Sequence, residues 1–222
     1  MTPSPTPTRW ERAYQTFEAP EEELHKFIGR LRGIGADRWD HRWRILEVCS
    51  GRGSGLLAWR ALGFGHVVGV DYSQALIGAY SGPGVNIVGD ARSLPLATAS
   101  CDVVAVQGGL HHLLTQDDVG SALSEMCRVV TPKGRIVIIE PWLTPFLRFV
   151  HAACRQPVVR RLSPKFDALA TMIEEERETY ERWLNAPDAH LALIRGYVSP
   201  RLLRRRWGKL IVVGSPAMHV AV

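Results

Sequence analysis

Cysteine is sparse in this chain of 222 residues: four, at positions 49, 101, 127 and 154, with no Cys-x-x-Cys pair and no histidine at ligand spacing. That pattern excludes a zinc finger or ribbon and a disulfide framework, and it predicts reduced, mostly buried thiols and no metal. No stretch approaches 18 uninterrupted apolar residues, so no membrane span is expected. The proline-rich residues 1–8 lack the charged start and apolar run of a signal peptide, and read as disordered. A cytoplasmic location is the expectation. Neither sign of charge dominates: 27 Lys+Arg stand against 22 Asp+Glu, giving +5 and a pI near 9.3. The excess lies in arginine clusters such as Arg204–Arg206, which read as edge decoration, and no nucleic-acid partner is expected. No internal repeat is present.

What the chain does have, from Arg44 onward, is alternation. Ile45–Cys49 reads as a strand and Gly55–Leu62 as a helix. His66–Val70 is a second strand, Ser73–Tyr80 a helix with Ser73 as N-cap, and Val85–Val88 a third strand. Val103–Val106 is a fourth. Val119–Val130 is a helix stopped by Thr131-Pro132-Lys133-Gly134, and Arg135–Ile139 a fifth strand. Strands separated by helices imply an α/β, doubly wound, mostly parallel sheet with helices on both faces. Ahead of it, residues 1–40 form a helical arm or cover. Trp10, Tyr14 and Phe17 fall near one face, and Pro20 opens a second helix with Leu24, Phe27, Ile28 and Leu31 on one side. Residues 41–222 form the main domain. Within it, residues 141–195 are too long for a simple crossover and read as a helical insertion. Its apolar start, 141–150, is either an acceptor-site lid or core packed on the arm. Phe166–Leu184 reads as one amphipathic helix, and 201–214 as an antiparallel pair with Leu210–Val213 inside.

The chemistry gathers where the first strand ends. Glu47-Val48-Cys49-Ser50-Gly51-Arg52-Gly53-Ser54-Gly55 is a strand running into a glycine turn, whose missing Cβ atoms let backbone approach a ligand. An acid inside that strand would repel a pyrophosphate and suit a cofactor with an ammonium group. Asp71 ends the second strand, where a carboxylate can accept both ribose hydroxyl protons. Asp90, in Gly89-Asp90-Ala91, stands on the same rim. As a set, with Leu94–Val104, His111-His112-Leu113 and Arg128–Arg135, these motifs resemble class I S-adenosylmethionine-dependent methyltransferases of the small-molecule branch. The match covers roughly residues 40–140. It departs where Cys49 replaces the first glycine and Lys133 a common glycine.

The resemblance implies a Rossmann-like sheet of seven strands with one antiparallel strand near the C-terminus. It also implies S-adenosyl-L-methionine as cofactor, S-adenosyl-L-homocysteine as product and a small-molecule acceptor. The residues it assigns to the cofactor are Glu47, Cys49, Ser50, Gly51, Gly53, Asp71, Tyr72, Asp90, Ala91 and Gln107. His111 and His112 are the candidate catalytic residues, since a hydroxyl acceptor needs a base near the fourth strand and histidine titrates in range. Two rivals are a non-catalytic S-adenosyl-ligand-binding, protein- or RNA-associated member of the fold, and a nicotinamide-dependent oxidoreductase. The second is disfavoured because Leu56 stands where Gly-x-Gly-x-x-Gly needs its last glycine.

Overall fold

The computed structural model describes residues 9–17 and 19–217; the proline-rich start lies outside them. Helix α1 spans Arg9–Phe17 and α2 Pro20–Gly33. The sheet strands are β1 Arg44–Val48, β2 His66–Asp71, β3 Val85–Val88, β4 Cys101–Gln107, β5 Val130–Pro141, β6 Val198–Arg206 and β7 Lys209–Pro216. Their order is β3-β2-β1-β4-β5-β7-β6. β7 runs antiparallel to both its neighbours, and the five strands from β3 across to β5 pair in parallel. This is the seven-stranded Rossmann-like arrangement that the family resemblance implies.

Burial on both faces explains the β-branched runs. Leu46, Val48, Val104, Val106, Ile136 and Ile138 enter one core, while Ile45, Val103, Ala105, Val137 and Ile139 enter the other. Successive residues alternate between the two faces, as the two-residue period of a strand requires. Helix α3 (Ser54–Ala61) buries Leu56 and Trp59 on the second face, where α2 adds Leu31. Helix α5 (Gln116–Val129) buries Val119, Leu123 and Met126 on the first. Helix α4 (Gln74–Ala79) starts after Ser73, whose Oγ accepts from the Leu76 amide.

The insertion holds more breaks than periodicity suggested. It comprises α6 Pro145–Cys154, α7 Pro157–Leu162, α8 Pro164–Glu175, α9 Arg177–Asn185 and α10 Pro187–Tyr197. The single helix expected over 166–184 is two, divided at Glu176, which leaves the helical region (φ −101, ψ 12). Proline opens α6, α7, α8 and α10, where its missing N–H costs nothing. Helix α1 packs on α8, with Arg9 Nη1 and Nη2 paired to Glu175 and Glu174, and Lys165 paired to Glu22. The two N-terminal helices are therefore joined to α8.

Candidate active site

The turn after β1 visits the left-handed region three times in five residues: Cys49 (φ 54), Gly51 (φ 52) and Gly53 (φ 82). Two of these are glycine and pay no steric penalty; Cys49 does. Its thiol is accommodated by a gap in the neighbouring strand end. A Cβ added to Gly109 would lie 2.4 Å from Cys49 Cβ and 2.7 Å from its Sγ. The cysteine that departs from the family pattern is thus matched by a glycine across the sheet. Burial, reinforced by the surrounding carboxylates, pushes the thiol well above its ordinary range, so it is no nucleophile.

Backbone bonds fix the rest of the turn. The Ser50 amide donates to Val70 O (3.1 Å), its Oγ to Asn86 Oδ1 (2.7 Å), and the Gly53 amide to Ser50 O (2.8 Å). Asp71 ties the turn to the next strand: Oδ2 accepts from the Gly51 amide and Oδ1 from the Ser73 amide, both at 2.8 Å. Tyr72 beside it projects outward. Asp90 is held by Arg92, whose Nη2 lies 2.7 Å from its Oδ2 and whose Nη1 reaches Asp118. That guanidinium holds the Asp90 carboxyl below the usual range. Ala91 is buried behind it.

Glu47 is buried too. Its Oε2 accepts from Trp59 Nε1 (2.7 Å) and its Oε1 from Gln107 Nε2 (3.1 Å), and a Cβ on Gly55 would sit 2.6 Å from Oε1. Burial outweighs these donors and pushes its pKa up to about 7. No described residue partners Gln107 Oε1, which is also buried. An added Cβ meets nothing within 4 Å at Gly51, and at Gly108 (φ 76) only His111 Cε1 at 3.9 Å. Open backbone over two glycines, an orphaned amide oxygen and a ring of carboxylates fit a ligand carrying hydroxyls and an ammonium group.

Two residues that the sequence reading passed over complete the site. Glu140, at the end of β5, is fully buried; its Oε1 accepts from the Gly109 and Leu110 amides, each at 2.9 Å. Its Oε2 lies 2.8 Å from His111 Nδ1. Burial pushes the carboxyl up, but the His111 and amide hydrogen bonds win and hold it below its ordinary range. An ionised Glu140 makes Nδ1 the donor and leaves Nε2 of His111 as the basic nitrogen. The His112 ring lies against His111 at a tilt of 35° (centroids 4.0 Å), with Nδ1 3.3 Å from Glu176 Oε1. Partial burial and the neighbouring imidazole push His112 below the usual histidine range. Helix α9 covers this corner, with the Tyr180 ring edge-on to His111 and its hydroxyl 3.1 Å from His151 Nε2. His111, His112 and Glu176 also bring ligand atoms within 4.8 Å of one another, the set that the described residues offer a metal ion.

The second is Glu23 of α2, buried at the glycine turn. It accepts from Arg52 Nη2 (2.9 Å), Ser54 Oγ (2.7 Å) and the Tyr14 hydroxyl. The arm is thereby latched to the turn it covers. Both acids carried a signal: Glu23 shares the apolar face of α2 with Phe27, and Glu140 interrupts the run from Ile136 to Trp142.

Residues 46–138 match the methyltransferase-domain family. The chain carries a methyltransferase domain. A demethylmenaquinone methyltransferase of Streptomyces avermitilis is 28% identical to this methyltransferase over 190 residues, covering 79% of this chain and 74% of that one. A ubiquinone/menaquinone biosynthesis C-methyltransferase UbiE of Acidiphilium cryptum is 29% identical over 62% of this chain and 55% of its own length. The chain thus spans about half of some curated relatives and three quarters of others. Among solved structures, the PH0226 protein of Pyrococcus horikoshii superposes with a TM-score of 0.70 at 18% identity, covering 96% of this methyltransferase and all of that chain. A putative S-adenosyl-L-methionine-dependent methyltransferase of Methanococcus maripaludis gives 0.61 at 16% identity, over 98% and 97%. No helix among the described residues is long and apolar enough to cross a membrane.

Proposed function

We propose that this methyltransferase methylates a ring carbon of a small hydroxylated aromatic acceptor of the quinol type, with His111 as general base and Glu140 as its orienting partner. The observation that carries the reading is the buried Glu140–His111 pair at the carboxyl edge of the sheet, beside the open backbone of Gly108. Ligands of open α/β sheets bind at that edge. Relatives named for methylation of demethylmenaquinone, and for C-methylation in ubiquinone and menaquinone synthesis, support the acceptor class.

S-adenosylmethionine, when bound, supplies a methyl on a positively charged sulfur and so brings its own activation. The chain's residues supply the rest. Asp71, beyond its two backbone bonds, has lone pairs for the ribose hydroxyls. Gln107 Oε1 offers an acceptor to the ammonium, and the Asp90–Ala91 segment flanks the adenine. Cys49, Ser50, Gly51, Gly53 and Tyr72 shape the cradle, and Glu47 sets its floor by fixing Gln107. His111 Nε2 takes the proton of an acceptor hydroxyl; the freed electron pair enriches the adjacent ring carbon, which attacks the methyl. Transfer of the methyl would release S-adenosylhomocysteine as the C–S electron pair returned to sulfur, and loss of the ring proton would restore the aromatic system. Glu140 stabilises the imidazolium formed on the way. His112, less basic and paired with Glu176, positions the neighbouring ring.

The test is turnover of a short-tailed demethylmenaquinol with S-adenosylmethionine, read by mass. His111→Ala and Glu140→Gln should each lower kcat by about a hundredfold or more while S-adenosylhomocysteine binding is kept. Absence of methylated product from the parent chain, or full turnover in both variants, refutes the reading.

A further inference from the structure

Five of the nine large apolar side chains exposed among the described residues fall in two adjoining pieces of the fold. Phe146 (44% exposed) and Phe149 (70%) lie on α6, Val158 (68%) and Leu162 (79%) on α7, and Trp207 (63%) at the tip of the β6–β7 hairpin. They are neighbours. Helices α6 and α7 pack together, Phe146 stacks edge-on against Trp207 (5.3 Å), and Gly208 abuts Leu147. The hairpin tip sits where Lys209 pairs with Pro141, at the carboxyl end of β5, so the patch adjoins the edge that carries His111.

The charges among these residues are all of one sign. No acid occurs between Glu140 and Asp167, or anywhere after Asp188. Arg148, Arg155, Arg161, Arg205 and Arg206 are exposed around the apolar side chains. Arg148, Arg155, Arg161 and Arg206 form no ion pair with an acid among the described residues, whereas Arg160 is held by Asp167 and Glu174. Arg155, Arg160 and Arg161 also line a cleft of about 640 Å³, where Asp167 of α8 is the one acid in the wall. Two short helices presenting Phe and Leu beside a hairpin tip presenting Trp, with arginines around them and no acid in these segments, are built to lie in a headgroup layer.

We infer that this face docks on a bilayer surface containing anionic lipid, with Phe149, Leu162 and Trp207 entering the headgroup–acyl boundary and the surrounding arginines meeting lipid phosphates. A protein partner would be expected to carry acids to match the arginines and a groove to match the helices. A bilayer supplies negative charge and an apolar layer without shape matching. Docking there would present the acceptor side of the site to lipophilic molecules dissolved in the membrane. That use rests on the acceptor proposed above; the surface itself does not.

The experiment is co-sedimentation of the full chain with vesicles, in the absence of any acceptor. Vesicles of phosphatidylcholine with one-third phosphatidylglycerol should capture the chain, and pure phosphatidylcholine much less. Replacing Arg148, Arg155 and Arg161 by glutamine should weaken capture about fivefold per arginine, on the order of a hundredfold together. Phe149→Ser, Leu162→Ser and Trp207→Ser combined should abolish what remains, with circular dichroism and S-adenosylhomocysteine binding unchanged. Turnover of a tail-less soluble acceptor should be unaffected by either set. No capture by anionic vesicles at low salt overturns the proposal. So does capture that the triple serine variant retains in full, which would mean charge attraction alone. Dimerisation lost in that variant, without vesicle binding, would make the face a contact between copies of this chain and would equally overturn it. Failure of methyl transfer to a quinol leaves the vesicle result standing, so the two readings fail separately.

Discussion

Replacing Asp71 separates two jobs that meet on one carboxylate. In the structure it accepts from the Gly51 and Ser73 amides at 2.8 Å each, tying the glycine turn to the end of β2. In the proposed complex the same oxygens also receive the ribose hydroxyls. A hydrogen bond to a charged group contributes about 1.5–3 kcal/mol when its loss leaves the donor stranded. Here both amides are only partly buried, so water can replace part of the loss. Asp71→Ala should therefore cost about 2–3 kcal/mol of stability in all. At roughly 2–4 °C per kcal/mol for a chain of this size, the midpoint should drop by about 5–10 °C.

Affinity for S-adenosylhomocysteine should fall by about ten- to a hundredfold, the equivalent of one or two such bonds. A looser turn alone could mimic that loss. Calorimetry with S-adenosylhomocysteine and its 2′-deoxyribose analogue, on the parent and on Asp71→Asn, resolves the two. If Asp71 holds the ribose, deoxygenation penalises the parent and leaves the variant nearly indifferent. An equal penalty in both proteins would refute the ribose contact and leave Asp71 a structural tie.

Other consequences can be checked without an acceptor. Gly109→Ala should destabilise by about 1–3 kcal/mol, because its Cβ would lie 2.4 Å from that of Cys49; in a Cys49→Gly background that part of the cost should vanish in chemical denaturation, leaving the contact with Val106 Cγ2 at 2.9 Å. Glu47 gives a pH signature. Its folded pKa is raised from 4.5 to about 7, so the folded chain keeps a proton that the unfolded chain releases. The slope of stability with pH is then negative across that window: stability falls as pH climbs from about 4.5 to 7 and levels off above, by up to about 3 kcal/mol. Glu47→Gln should be more stable than the parent at pH 8 and no more stable at pH 5. A difference independent of pH would show that Glu47 is ionised throughout.

Much of the fold was legible because it is written in local periodicity. The β-branched runs that became β1, β2, β4 and β5, and the glycines and prolines between them, specify elements within a few residues of themselves. The glycine turn and the acid-tipped second strand were legible for the same reason: Glu47 to Gly55 and Val67 to Asp71 are contiguous. What escaped depends on distant pieces of chain meeting. Glu23 looked like an ordinary first-turn acid of α2 until α2 laid it on Arg52 and Ser54. The break at Glu176 interrupts a periodicity that continues through it, and it exists because α9 turns to cover His111 while α8 packs on α1. Cys49 and Gly109 look unrelated in sequence, yet each explains the other across the β1–β4 pairing.

Glu47 and Glu140 show how far one signal goes. Both are acids in otherwise apolar strands, both are buried, and the sequence gives no ground to treat them differently. Burial alone would push both upward. Glu47 meets two neutral side-chain donors, the indole of Trp59 and the amide of Gln107, and desolvation prevails. Glu140 meets two backbone amides on one oxygen and an imidazole on the other, and the hydrogen bonds prevail. The difference is one additional donor and the ability of that donor to take up positive charge. An acid that stays ionised against burial can support a proton on its partner; one that drifts towards neutrality cannot. Of the two acids, then, only Glu140 fits the role proposed for it, that of supporting a base at His111.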